Sequence, residues 1–410
     1  NDWFSTLNPA SNSYLYPSVS TSFVFTDLIP QLPGWLDYGK LRASYAEVGS
    51  DTQPYSQSLY YTISPNTLNG IGLGTSGALN PNPNLRPLKI KETEIGVALQ
   101  LFDAALNLDV ALYRKNTFDE ILNVDISQSS GYGQTVVNVG KLRNQGVETL
   151  LTFRTKGPVG WETSVNGSYN ISKGLQLANN QTVFNVGSGP WYGWLSHEVG
   201  KPLAALRGYD YKRDEQGRIL TTNGKFMQGE ITNWGSAIYK WIGGWTNAFR
   251  YKHFRFTTQI DFKAGAKLLS NSNMNFMRTG QHKQSLVGRE GGVVFPGVNE
   301  DGSPNTTAVP AQEFYTTYRS TLIATPFIYD ASFVRWRSVF LGYDLSHLLS
   351  KSVIKSASVS FNVHNLLMIK KFVDNLDPEA QGSVSDNLTG IEVHTLPTTR
   401  TYGLNLNVTF

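Results

Sequence analysis

The chain has 410 residues, of which 16% are charged, with no cysteine and a formal net charge of +4. The lack of cysteine excludes a disulfide scaffold, a thiol nucleophile and a cysteine-ligated metal, and the scattered Lys and Arg give nucleic-acid binding little support. No run of ~18 apolar residues occurs, which excludes transmembrane helices.

Strands with one apolar and one polar face recur along the chain. Apolar residues alternate with polar or small ones in residues 94–101, 106–113, 254–262, 357–364 and 401–410. A side-chain period of two predicts strands that lie between two different environments. The polar faces are rich in Gly, Ser, Asn and Gln, which favours a watery lumen on one side and lipid on the other. A soluble all-β protein is the alternative.

About eleven long strands are predicted in chain order. They cover residues 14–25, 37–48, 89–101, 105–117, 144–155, 160–172, 240–250, 253–264, 331–343, 356–365 and 401–410. Short turns alternate with five long loops, which are 49–88, 118–143, 173–239, 265–330 and 366–400. This alternation is typical of an up-and-down barrel with short periplasmic turns and long external loops.

The odd number of strands bears on the domain organisation. A complete barrel with both termini in the periplasm needs an even number. The predicted fold is therefore an all-β, transmembrane, antiparallel up-and-down β-barrel, of which residues 1–410 form the C-terminal half of about 22 strands. Half a barrel would leave two sheet edges unpaired in lipid, so we expect a companion polypeptide or an upstream segment to close it.

Segments along nearly the whole chain resemble the SusC/RagA family. The similar segments are residues 14–27, 38–55, 82–102, 108–122, 137–153, 208–219, 241–254, 330–345 and 397–410. This family comprises TonB-dependent outer-membrane transporters of Bacteroidetes. The resemblance implies import of oligosaccharides or oligopeptides through a barrel that is filled by an N-terminal plug and driven by the TonB complex. It further implies a SusD-like surface lipoprotein as partner, and a dimer of SusCD pairs.

The resemblance leaves other functions open, because the signal peptide, TonB box, plug and first half of the barrel have no counterpart in this sequence. A passive outer-membrane porin or an adhesin-like barrel is the alternative, and a soluble β-rich binding protein or glycosidase is a third hypothesis. Glu94, Asp109 and Asp261 face inward on predicted strands, but the sequence gives no pairing between them. We therefore expect no enzyme activity and no cofactor.

Two groups of loop residues are candidates for ligand contact. Trp191, Tyr192 and Trp194 lie in loop 173–239, and their flat rings suit stacking on sugars or packing on apolar peptide side chains. Packing within the loop or against the lipoprotein is the alternative. Arg289 could pair with a substrate carboxylate or with the lipoprotein.

Three further segments are interpreted as ordinary loop structure. Asp301-Gly302 predicts a turn, because Gly supplies a positive φ. Residues 214–218 also predict a turn, since they lack the alternating oxygen ligands of a calcium loop. Residues 70–77 (GIGLGTSG) predict a flexible external loop.

The remaining candidates are residues of the strands. His364 is expected to project into the lumen beside the three inward carboxylates. The six histidines show no HxxxH or HxH spacing, so no metal site is predicted. Tyr402 and Phe410 belong to the last strand, whose alternation and aromatic end are interpreted as the signal for assembly into the outer membrane.

Overall fold

The computed structural model describes residues 1–52, 54, 56–177, 181–188, 193–349, 353–382 and 389–410. The chain forms two compact units. The first comprises residues 1–155, 164–186 and 197–202, and the second comprises residues 156–163, 187–196 and 203–410.

Within the part of the chain that the structure describes, eleven long antiparallel strands form most of the two units. They are β1 (Ser18–Val24), β2 (Leu36–Ser50), β3 (Leu88–Leu101), β4 (Leu106–Asp125), β5 (Gln134–Arg154), β6 (Val159–Gln176), β7 (Trp241–Tyr251), β8 (Phe254–Ala264), β9 (Phe333–Asp344), β10 (Ser356–Lys371) and β11 (Thr401–Thr409). Strands β1 to β5 lie in the first unit and pair in chain order with one another and with β6, which has residues in both units. Strands β7 to β11 pair in chain order in the second unit. Pairing of each strand with the next along the chain is the up-and-down arrangement, so the predicted order of strands is confirmed.

One face of these strands is apolar and exposed. Ile95 on β3 lies directly opposite Leu112 on β4, and each side chain is 58% exposed. On the other face of the same pair, Gly96 lies opposite Ala111. Exposed branched side chains in register across neighbouring strands make a surface suited to lipid.

The prediction that residues 118–143 form a loop is wrong, because most of this segment is strand. Strands β4 and β5 stay paired out to Asp125 and Gln134. Two features explain why the extensions of β4 and β5 lack the alternation of apolar and polar residues on which the prediction relied. Apolar clusters cover both faces of the extensions, and residues 119 and 140 have positive φ angles of 55° and 52°.

The predicted flexible loop at residues 70–77 is also wrong. Ile71–Ser76 is a strand that pairs with Tyr61–Leu68. Asn69 and Gly70 connect the two strands with φ angles of 50° and 80°, as a two-residue hairpin turn requires. The Asn-Gly dipeptide was the signal that the prediction missed.

The remaining connections contain short elements. The further strands are Asp2–Trp3, Ser13–Tyr14, Leu79–Asn80, Val183–Ser188, Trp194–Glu198, Ala205–Tyr211, Leu220–Thr222, Lys225–Phe226, Gln228–Ser236, Lys267–Ser270, Val298–Asn299, Ile328–Asp330 and Ile391–Glu392. Two α-helices lie in the described residues, α1 (Asn271–Arg278) and α2 (Ala311–Thr321). In the described ranges, neither helix is long and apolar enough to cross a membrane.

An aromatic cluster packs these connections together in the second unit. The ring of Phe226 lies 4.5 Å from that of Tyr318 and 5.5 Å from that of Phe314, both on α2. Tyr211 and Phe295 close the cluster at 5.2 and 5.3 Å from Phe226. Buried aromatic rings in edge contact contribute stability beyond the area that they bury, so these loops have a core of their own.

Candidate functional site: charged strand faces and external loops

Arg42 joins two of the predicted inward carboxylates. Its Nη1 and Nη2 donate to the two carboxylate oxygens of Asp109 at 2.8 and 2.7 Å, and its Nε donates to Glu94 at 3.2 Å. Arg42 lies opposite Gly96 in the register, and a Cβ at that glycine would lie 2.5 Å from the Arg42 Cζ. The glycine therefore makes room for the guanidinium.

Sequence reasoning found Glu94 and Asp109 but missed Arg42. Its position on the polar face of the predicted strand 37–48 was the available signal. All three side chains are partly exposed, so solvent or a ligand on the polar face of the strands can contact this cluster.

Asp261 belongs to a second and larger ionic cluster. Arg337 on β9 donates from Nη2 to Asp261 at 2.6 Å and to Glu379 at 3.0 Å. The neighbouring Arg335 pairs with Asp377 at 2.5 Å and with Glu379 at 3.1 Å. These ion pairs fasten the connection between β10 and β11 onto strands β8 and β9. The two arginines alternate with Trp336 in the sequence, which was the signal that a charged face lay there.

The pair formed by Arg335 and Asp377 is almost fully buried. Burial by itself would raise the pKa of Asp377, but hydrogen bonds from Arg335 and Thr398 outweigh it and lower that pKa to about 2. A carboxylate held in this way stays ionised at any pH near neutrality.

His364 is not part of that ionic cluster. Its Nε2 lies 3.3 Å from Nδ2 of Asn362, on the polar face of β10. In the described ranges, no three His, Asp or Glu residues are arranged to hold a metal ion.

The predicted aromatic cluster is only partly described. Trp191 and Tyr192 lie outside the described residues. Trp194 begins the strand Trp194–Glu198, and its ring meets that of Tyr209 edge to face at 5.6 Å. This contact agrees with packing inside the external loop, the alternative to ligand contact. Both roles stay predictions.

Arg289 lies at a cavity of about 750 Å³ between α1 and α2. Its Nε donates to the Ser285 carbonyl at 3.1 Å and its Nη2 to the Gly280 carbonyl at 2.5 Å. Three of the five N–H donors of a guanidinium remain beyond these two bonds. Arg289 can therefore hold its own loop and still meet a ligand.

The two predicted turns are confirmed. Gly302 has a φ of 84° and donates to the Asn299 carbonyl, while the backbone N–H of Ser303 donates to the Asp301 carboxylate. The hydrogen bonds from Ser303 lower the pKa of Asp301. In the other turn, Gly217 donates to the Asp214 carbonyl.

Tyr402 and Phe410 lie at the end of the second unit's sheet. Tyr402 is exposed, and its ring is stacked on Phe361 of β10 with 6.5 Å between centroids. Phe410 follows the last residue of β11 and is 71% exposed. Both positions agree with an outward aromatic face, and their role in assembly stays a prediction.

Comparison with known proteins defines the class. Residues 1–366 match the family model "TonB dependent receptor-like, beta-barrel", so the chain belongs to this family of outer-membrane β-barrels. Members of this family are transporters and receptors and not enzymes.

Individual relatives of the chain are TonB-dependent receptors, in agreement with the family model. TonB-dependent receptor P3 of Formosa agariphila is 26% identical over 412 residues, which cover 90% of this chain and 39% of that protein. TonB-dependent receptor SusC of Bacteroides thetaiotaomicron is 22% identical over 352 residues, covering 80% of this chain and 32% of SusC. The chain spans between about a third and two fifths of the length of these relatives.

A solved structure shows the same fold. The RagAB peptide transporter aligns with 99% of this chain and 44% of its own chain, at a TM-score of 0.76 and 19% sequence identity.

Proposed function

We propose that the chain supplies barrel strands and external loops to a TonB-dependent importer of oligosaccharides or oligopeptides that works with a SusD-like surface lipoprotein. The observation that carries the proposal is the folded loop region of the second unit, with its aromatic cluster and its open cavity, in a chain of this family. A wide passive pore has no need of folded external loops that offer a binding cavity.

The relatives supply the finer parts of this proposal. Those with curated descriptions are called TonB-dependent receptors. Two of the similar solved structures are of the RagAB peptide importer, in "closed-closed" and "open-open" states. By analogy, cargo lands between external loops and lipoprotein, the lipoprotein closes, and TonB acting on the plug opens a path. The plug and the remaining strands belong to the complete protein.

The charged strand faces fit a transport path better than a tight binding site. The Arg42 cluster, together with the Asn and Ser residues of β10 and β11, offers many partly exposed donors and acceptors. Such groups give weak contacts at several positions, which allows cargo to leave as well as to enter. A dimer of two such complexes is part of the same proposal.

The test is uptake by the producing bacterium. Deletion of the gene should abolish growth on the cargo, and the complete wild-type gene should restore it. A gene that lacks the TonB box should not restore growth, because energy coupling is lost. Restoration by the latter gene would contradict the proposal.

Conductance distinguishes the porin alternative. The complete protein, purified in mild detergent and inserted into a planar bilayer, should be closed at rest because of its plug. A steady open current would favour a passive porin.

Native mass spectrometry of the extracted complex should show a bound lipoprotein, and its absence would remove that partner from the proposal.

A further inference from the structure

The cavity between the two helices has a distinctive chemical character. It lies where the C-terminal end of α1 faces the N-terminal end of α2, and its volume of about 750 Å³ falls in the range of small-ligand sites. Its walls combine two arginines with apolar side chains. Lining residues used below are Met277, Arg278, Arg289, Pro310, Gln312 and Tyr315.

Two cations face this cavity without a compensating anion. Arg278 is exposed at the last position of α1, and Arg289 is held by the two carbonyl groups described above. In the described part of the chain, neither arginine has a carboxylate within ion-pair distance. Two uncompensated guanidinium groups beside one cavity favour an anionic ligand, and planar carboxylates match their geometry.

The start of α2 adds to this preference. The first backbone N–H groups of a helix have no intrahelical acceptor. Pro310, at the N-cap of α2, provides no side-chain acceptor for them either. The acidic residue of that turn, Glu313, is engaged with Lys225 at 2.5 Å. It is therefore held by another cation and does not neutralise the arginines.

The other walls favour a peptide end over a sugar. Met277 and Pro310 are apolar, and the single hydroxyl hydrogen of Tyr315 is already shared between the carbonyls of Gln284 and Val287, at 2.8 and 3.1 Å. Sugar binding calls for many free hydrogen-bonding side chains, and this cavity presents few of them beyond Gln312 and the arginines. A terminal carboxylate can bind the arginines, and the apolar side chain next to it can pack against Met277 and Pro310.

We propose that this cavity binds the C-terminal carboxylate and the last side chain of an oligopeptide. The proposal rests on the importer function proposed above and narrows its cargo to peptides with a free C-terminus. Arg278 and Arg289 would hold the carboxylate, and the apolar wall would hold the side chain.

The test is a binding cycle on the complete transporter in mild detergent. The probe is a library of N-acetylated decapeptides, prepared once with free C-terminal carboxylates and once with C-terminal amides. Native mass spectrometry gives the affinity of each preparation. The variants are Arg278→Gln and, as a matched control, Lys283→Gln, which removes one exposed charge from the same loop outside the cavity.

We expect the wild type to bind the acids at least about tenfold more tightly than the amides, since hydrogen bonds to charged groups are the strong ones. Arg278→Gln should bring this ratio close to one, and Lys283→Gln should leave it unchanged. Arg289→Gln is less informative, because Arg289 also holds two carbonyls of its loop.

Other outcomes overturn the proposal at different levels. Equal affinity of the wild type for acids and amides would remove the carboxylate site and leave the importer function intact. Binding of tetragalacturonate that depends on Arg278, with no binding of peptides, would assign the cavity to acidic glycans. Failure of the wild type to bind either probe, together with no uptake by cells, would overturn the importer function as well.

Discussion

The guanidinium of Arg335 and the carboxylate of Asp377 lie 2.5 Å apart, with their side chains only 3% and 7% exposed. Thr398 donates to the other oxygen of that carboxylate, also at 2.5 Å. The carboxylate thus ties strand β9 to two points of the connection between β10 and β11. Breaking such a pair leaves a buried charge without its partner, which costs far more than losing a surface ion pair.

Asp377→Asn should lower the free energy of unfolding of the protein by about 3 kcal/mol, because it leaves Glu379 as the one carboxylate paired with the buried Arg335 among the described residues. Thermal unfolding in detergent measures the change. Asp374→Asn is the matched control, since it removes an exposed carboxylate from the same connection. Equal unfolding temperatures for the two variants would show that the pair contributes little.

The same pair predicts a pH dependence. The pKa of Asp377 is lowered to about 2, whereas an unfolded Asp titrates near ~3.9. Its stabilisation is therefore complete above that unfolded value and is lost as the pH falls through about 2. The difference in unfolding temperature between wild type and Asp377→Asn should be constant from pH 8 to 5 and should shrink between pH 4 and 2. A difference that grows with acid would contradict this sign.

Arg42→Gln should destabilise the first unit by only about 1 kcal/mol, because the residues of its ion pairs are partly exposed. The like charges of Glu94 and Asp109 would then lie close together without a cation. Lys40→Gln, two residues earlier on the same strand, is the control for loss of charge alone. Thermal unfolding compares the two variants. A larger destabilisation by Lys40→Gln than by Arg42→Gln would contradict the bridging role of Arg42.

Gly140→Ala should impair folding of the first unit. Gly140 has a φ of 52°, and a Cβ there would lie 1.8 Å from the carbonyl oxygen of Gln176. Strain and overpacking together should cost at least about 2 kcal/mol. Gly167→Ala on β6 is the control, because nothing lies within 4 Å of its Cβ position. The folded fraction on gels of unheated samples measures both, and an unaffected Gly140 variant would contradict the geometry.

Deletion of Tyr402–Phe410 should abolish assembly into the outer membrane. Strand β10 would lose its antiparallel partner from Ser356 to Val363, and unpaired backbone groups are very costly in lipid. Surface labelling of cells measures the assembled protein. Asn405→Ser is the control, since it preserves the alternation. Normal surface levels after the deletion would contradict the role assigned to this strand.

The order of the strands was predictable because each strand reports its environment locally. On β11, apolar residues alternate with Thr, Gly and Asn over nine residues, and the same period recurs on β3, β4 and β8. The prediction failed where both faces of a strand are covered, as in the extension of β4 to Asp125, since the alternation ends there. It also failed at Asn69-Gly70, where the turn signal was present and unused.

The sequence by itself therefore determined that strands with one apolar and one polar face recur along the chain, and it determined the family of the protein. Which charges meet was decided only by the tertiary structure. Asp261, Arg337 and Glu379 are far apart in the sequence, and only the register of β8 with β9 and the path of the following connection bring them together. The cavity beside Arg289 likewise requires two helices from distant parts of one loop. The physical reason is that an alternating pattern records contact with lipid or water at each residue, whereas an ion pair or a cavity depends on distances between residues remote in the chain.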